Sequence, residues 1–178
     1  MEGSIKNLKI FGGYEDFKNV YLVFRKKPFF EDWNDEKVRE EYDYYNNNGE
    51  IYIKEVNGKA VGLVALLNGI QASHGLELPT NNVGYISDIA VLEECRRRGY
   101  GTELMKYAVD LFTNEGKDYA YFRASRYGSM SEPIGLKLGF EPVYKSNGEL
   151  LLQECSFPRV NNCVSEVDER KFLIKKLY

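Results

Sequence analysis

VGYISDIAVLEECRRRGYGTELMKYAVDLF, residues 83 to 112, holds the pattern that decides the fold. Val83 to Val91 is apolar apart from a short polar centre at Ser87 and Asp88, and it reads as a buried strand. From Tyr100 onward, Tyr100, Leu104, Tyr107, Ala108, Leu111 and Phe112 recur at i, i+4, i+7 and i+8. That spacing predicts one face of an amphipathic helix, with Gly116 as its C-terminal stop. The next apolar run, KDYAYFRAS from Lys117, reads as another strand. Strand 83–91, loop 92–98, helix 99–115 and strand 118–124 make a β-loop-α-β unit whose turn carries three arginines and two glycines. A helix start presents unpaired N–H groups and a partial positive charge, and glycine lets an anion approach the backbone closely, so the turn is built as an anion cradle. It is neither a Walker A loop nor a dinucleotide fingerprint, because the GK[ST] ending and the G-x-G-x-x-G spacing are both missing.

Upstream, EIYIKEV and KAVGLVALL flank Asn57-Gly58, the dipeptide best suited to a tight two-residue turn, and predict a β-hairpin. Before it, YEDFKNVYLVF sets Phe17, Val20, Tyr21 and Phe24 at helical spacing, and DEKVREEYDYY offers a second, charged helix after the break at Pro28. Asn68 to Asn82 is polar and glycine-rich, a connection long enough to be a functional loop. Downstream, SEPIGLKLG predicts a short helix with Ser131 as N-cap and Pro133 in its first turn. Phe140 begins a further strand region, and ELLLQECSF and RKFLIKKL predict two closing strands around a polar loop at 158–168.

A chain of 178 residues with 43 % hydrophobic content can bury one sizeable core, so a single domain over 1–178 is expected. The net charge of −3 argues against a surface devoted to nucleic acid, which is held largely through neutralised phosphates. Cys95, Cys155 and Cys163 are odd in number, show no C-x-x-C spacing and have no histidine cluster, which disfavours a disulfide framework or a metal site. The start, MEGSIKNLKI, has no apolar signal core, and the longest apolar run, residues 60–67, is too short for a bilayer. A cytoplasmic protein without membrane or nucleic-acid partners is expected.

Arg96-Arg97-Arg98-Gly99-Tyr100-Gly101 matches the R/Q-x-x-G-x-G/A pyrophosphate loop of the GNAT acyltransferase superfamily, and the strand YISDIAV precedes it as in that family. IGLKLGFEPV, 134–143, resembles the family's second motif, a short helix ending in a Leu-Gly-Phe turn. The order of elements over residues 5–178 is similar as well. The resemblance implies a mixed α/β (α+β) fold, with a mostly antiparallel central sheet, helices on both faces and a central strand pair that splays, 86–91 away from 119–124. It also implies acetyl-CoA as co-substrate, its pantetheine lying between those strands. Its contacts would come from Ile89, Ala90 and Val91 at the strand end and from Arg96, Arg97, Arg98, Gly99, Tyr100, Gly101 and Thr102 in the loop. No metal is implied, and the acceptor is a primary amine of a small molecule or peptide. A homodimer is among the assembly states the sequence allows.

One position departs from the family. The second motif commonly carries a tyrosine five residues before its final Phe, acting as general acid toward the leaving thiolate, and here that position is Gly135. Tyr127, Ser131 or solvent are the alternatives, and a thiol with a pKa near ~8.5 can leave without full protonation.

For the catalytic base, Asp88 interrupts an otherwise apolar strand, where a carboxylate is either structurally hydrogen-bonded or facing an active cleft. Tyr85 and Ser87 lie on the opposite strand face by alternation, and Tyr85 is the second candidate. His74, the only histidine, is expected to be a surface residue of its loop, and Cys95 a packed side chain rather than a nucleophile. Glu31, Asp32, Asp35, Glu36, Glu40, Glu41 and Asp43, interleaved with Trp33, Tyr42, Tyr44 and Tyr45, form either a solvated helix face or a wall that attracts a cationic amine. The functions in competition are an N-acetyltransferase acting by direct attack in a ternary complex, and a non-catalytic acyl-CoA-binding module or sensor. A nucleic-acid-binding protein using the arginine run is the weakest of the three.

Overall fold

A computed structural model describes residues 3–7, 13–25, 34–70, 72–125, 130–157 and 166–178. The elements in chain order are β1 (Ser4–Asn7), α1 (Tyr14–Arg25), α2 (Asp35–Asn48), β2 (Gly49–Val56), β3 (Lys59–Asn68), β4 (Val83–Val91), α3 (Tyr100–Asn114), β5 (Tyr119–Ser125), α4 (Ser131–Lys137), β6 (Glu141–Pro142), β7 (Leu152–Phe157) and β8 (Glu166–Lys176). The fold is mixed α/β with a mostly antiparallel sheet, as expected. The described residues fall into two compact units, 1–67 with 88–105, and 68–87 with 106–178.

In the first unit the strands run β1-β2-β3-β4, to which β4 contributes Asp88 to Val91. Asn57 and Gly58, with φ of 52° and 73°, make the positive-φ turn between β2 and β3, and the hairpin register runs from Gly49↔Leu67 to Val56↔Lys59. A stretch of β3, Val61 to Leu67, is buried residue after residue, which requires cover on both faces of the strand and explains why its sequence does not alternate. Asn34 caps α2 by accepting from the Lys37 amide at 3.0 Å, and α1 sends Phe17, Val20 and Tyr21 into the core, each burial worth about 1.5–3 kcal/mol.

In the second unit the order is β4-β5-β8-β6, with β7 also pairing β8. The β4–β5 pair is parallel, the rest of the unit's pairs antiparallel. Its register runs from Val83↔Tyr119 to Ile86↔Phe122 and ends there, although β4 continues to Val91 and β5 to Ser125. Gly84 lies flush under α3, since a Cβ there would stand 2.5 Å from the Phe112 ring.

Two local expectations need correction. Ser131 is the first helical residue of α4, while the cap position is Met130, which makes no side-chain cap bond. On α3 the buried stripe is Leu104, Met105, Ala108, Val109 and Phe112, with Tyr100, Tyr107 and Leu111 only half-buried, so the apolar face is rotated by about one residue from the predicted one. Both faces satisfy the same spacing, and only the neighbouring strands choose between them. Gly116, at φ 70°, ends α3 as predicted.

Candidate active site

The arginine turn lies in the first unit. Leu92 donates its amide to the Val61 carbonyl at 2.9 Å, fixing the end of β4 on β3, and a short 3-10 turn, Glu93–Cys95, then brings the chain round. Arg96 is half-buried and folds back, its Nε donating to the Val91 carbonyl at 3.2 Å. Arg97 and Gly99 both take positive φ, 60° and 87°. For glycine this costs nothing, but for arginine a left-handed backbone costs about 1–2 kcal/mol, and turns of alternating hand are how concave anion nests are made. Arg97, Arg98 and Gly99 are exposed, and α3 begins immediately, the Glu103 amide donating to the Gly99 carbonyl at 3.0 Å. Helical amides before that point have no partner four residues back, which is what an anion needs. Of the predicted loop residues, the structure therefore brings Arg96 against Val91 and opens Arg97 to Thr102 around a helix start.

Asp88 is also in the first unit, and its Oδ2 accepts the hydroxyls of Tyr21 at 3.1 Å and Tyr45 at 2.5 Å. Tyr21 and Tyr45 come from α1 and α2 and are almost completely buried. The carboxylate thus has partners, which removes the objection to a charge in this strand. Sequence placed Tyr21 on a helical apolar face, but the destination of its hydroxyl was not readable there. The acidic helix is partly neutralised by α1: Asp35 pairs with Lys18 at 2.5 Å and accepts the Tyr14 hydroxyl at 2.9 Å, which hold its carboxyl below the usual range. Glu36, Glu40 and Asp43 are exposed, while Glu31, Asp32 and Trp33 lie outside the described residues.

In the second unit Tyr85 and Tyr121 face each other in the β4–β5 register and stack with centroids 4.6 Å apart. Arg123 Nε donates to the Tyr85 hydroxyl at 2.9 Å and its Nη1 to Gln153 Oε1 at 2.6 Å. His74 is not the surface residue expected. Its Nδ1 lies 2.9 Å from the Tyr121 hydroxyl, its ring meets Tyr85 edge-on at 4.9 Å, and it is half-buried. Burial, and then the Arg123 charge, push its pKa down from 6.5 to about 4, while burial raises that of Tyr121. His74 is therefore neutral across the physiological range. Among the residues predicted as alternatives to the missing acid, Tyr127 lies outside the described residues, and Ser131 starts α4.

The unfolded chain protonates His74 near pH 6.5, while the folded one resists until about 4, so stability is full above 6.5 and is lost as pH falls through that window. His74→Gln, which keeps a partner for Tyr121, is expected to flatten that loss. Urea midpoints at intervals from pH 7 to 4.5 test it; parallel profiles for variant and wild type would show that His74 titrates normally.

Among the described residues there is no group of His, Cys, Asp and Glu able to hold a metal ion, and no helix long and apolar enough to cross a membrane.

Residues 19–128 match the family model described as the acetyltransferase (GNAT) family. No curated protein matches the chain. Among solved structures, an N-acetyltransferase from Staphylococcus aureus Mu50 superposes with a TM-score of 0.68 at 12 % identity, covering all of both chains. A Bacillus subtilis acetyltransferase in complex with CoA gives 0.68 at 16 % identity, covering 99 % of this chain and 100 % of that one. The ribosomal-protein-S18-alanine N-acetyltransferase of Escherichia coli gives 0.61 at 14 %, covering 99 % and 94 %. At these identities the likeness is one of fold.

Proposed function

The chain belongs to the GNAT acetyltransferase family, and from that premise we propose that it moves an acetyl group from acetyl-CoA to a primary amine by direct attack in a ternary complex. The observation that carries this reading is the turn Arg96 to Gly101, with its two left-handed residues opening a helix. Its residues fit a diphosphate: cationic side chains stand around an open turn, and at Gly99 even a Cβ would meet nothing within 4 Å. Ile89, Ala90 and Val91 at the end of β4 would carry the acyl arm toward Asp88 on the same strand. The amine nitrogen bonds to the thioester carbonyl carbon and the C–S bond breaks, the electron pair leaving on sulfur. Asp88, directly or through one water, takes the proton that the amine must lose, and Tyr85 is the alternative relay. The exposed carboxylates of α2 favour a cationic acceptor by steering its approach.

CoA release measured with a panel of amines tests the reading. A turnover that rises with one amine, and a kcat/KM that falls with added salt, is the expected result; tight acetyl-CoA binding with no turnover on any amine would leave a sensor. That second reading has one observation in its favour, since Phe122 fills the space beside Gly135 where the family's acid would project.

Gly101 sits in the first turn of α3, half-buried, where a branched side chain would crowd an anion lying against the amides. Gly101→Val is therefore expected to weaken acetyl-CoA binding at least about tenfold. Unchanged affinity in a calorimetric titration of the folded variant would sink the diphosphate assignment.

A further inference from the structure

Lys54 is the one buried charged side chain among the described residues, 4 % exposed in the middle of the first unit's sheet. The β2–β3 register shifts between Lys54 and Glu55, and a bulge re-aims the side chain next to it. The ammonium has partners on α3 and in the chain before β1. It donates to the Gly3 carbonyl at 2.9 Å, pairs with Glu103 Oε2 at 2.5 Å, and lies 5.6 Å from the centre of the Tyr100 ring. Tyr100 and Glu103 are both in the opening turn of α3, the same turn that the proposed function gives to a diphosphate.

A core lysine is costly, and an apolar residue of its size would hold a strand as well or better. Glu103 supplies the reason for keeping it. A carboxylate in the first turn suits the helix dipole when nothing else is there, but beside a bound diphosphate it repels the ligand and competes for the same positive end. With its side chain about half exposed, Glu103 has room to swing unless something holds it, and Lys54 does.

We propose that Lys54 is a positioning residue for the anion cradle: it ties down the Glu103 carboxylate, cancels its charge, and fixes the opening turn of α3 to β2. This rests on the acetyl-CoA reading above. A mere packing role for Lys54 would make no connection between its removal and the charge at 103.

Calorimetric titration of acetyl-CoA into four proteins separates the two. Glu103→Gln, a change at a half-exposed side chain, is expected to bind about threefold tighter, because the lysine charge is then uncompensated beside the diphosphate. Lys54→Met is expected to bind about fivefold weaker, and the deficit should shrink as salt rises. Combining the two should bring affinity back to within about twofold of wild type. The proposal is overturned if Glu103→Gln leaves affinity unchanged or weakens it, or if the double variant is as weak as Lys54→Met alone. Should Lys54→Met fail to fold, Glu103→Gln decides the matter by itself. Wild-type protein that gives no acetyl-CoA heat at all would instead refute the CoA reading, a different result from wild-type binding with indifferent variants.

Discussion

Asp88→Asn is expected to turn over about a hundredfold more slowly than wild type while binding acetyl-CoA with unchanged affinity. The expectation depends on what asparagine preserves. Tyr21 and Tyr45 both donate to one oxygen, Oδ2, and the amide oxygen of asparagine can occupy that place and accept both hydroxyls. The hydrogen bonds that tie β4 to α1 and α2 survive, and what disappears is the negative charge and the ability to take up a proton. An alkylammonium with a pKa near ~10.4 has no lone pair to attack with until its proton goes, so the loss falls on kcat. Asp88→Ala is the informative contrast, because it also removes the acceptor that the two buried tyrosines share, and should lose stability as well as rate. If Asp88→Asn keeps wild-type kcat at neutral pH, the carboxylate serves only to hold the two tyrosines, and the proton acceptor lies elsewhere, at Tyr85 or on the loop of His74.

Gly135→Tyr, which puts the family's usual acid into α4, is expected to destabilise the fold by about 3 kcal/mol or more rather than supply the missing group. A Cβ on Gly135 would stand 2.4 Å from Cζ and 2.5 Å from Cε1 of Phe122. Phe122 is buried on β5 with its ring edge-on to Phe140 at 5.1 Å, so it is wedged rather than loose. Phe122 and Gly135 thus form a matched pair, one ring filling the volume that the other position leaves vacant. Adding Phe122→Ala to Gly135→Tyr should recover part of the loss, because the cavity left by one ring accepts the other. Denaturant midpoints for the two single variants and the double measure this directly. A Gly135→Tyr protein as stable as wild type would mean that Phe122 moves aside easily, and the tyrosine could then be assayed as an acid.

The sequence by itself determined the pieces whose cause is local. Asn57-Gly58 sets its own turn, Gly99 and Gly116 take the left-handed backbone that other residues avoid, and strand 83–91, turn and helix follow one another through changes of hydrophobic period and breaker residues. The Arg-rich turn was legible for the same reason: amides at a helix start are oriented by the helix alone. Tertiary structure decided everything that depends on which distant residue arrives. The rotation of α3 came from the strands it covers, since two apolar stripes were equally good by spacing. Tyr21 and Tyr45 reach Asp88 across 67 and 43 residues of chain, His74 meets Tyr121 across 47, and no periodicity records where a hydroxyl or an imidazole ends up. Lys54 is one charged residue in the strand EIYIKEV, and nothing in that stretch records that it is buried beside a register shift and paired with a glutamate 49 residues away. Backbone preferences act over a few residues and are written in order along the chain, whereas a polar group buried in a core is stable only once its partner has been folded against it.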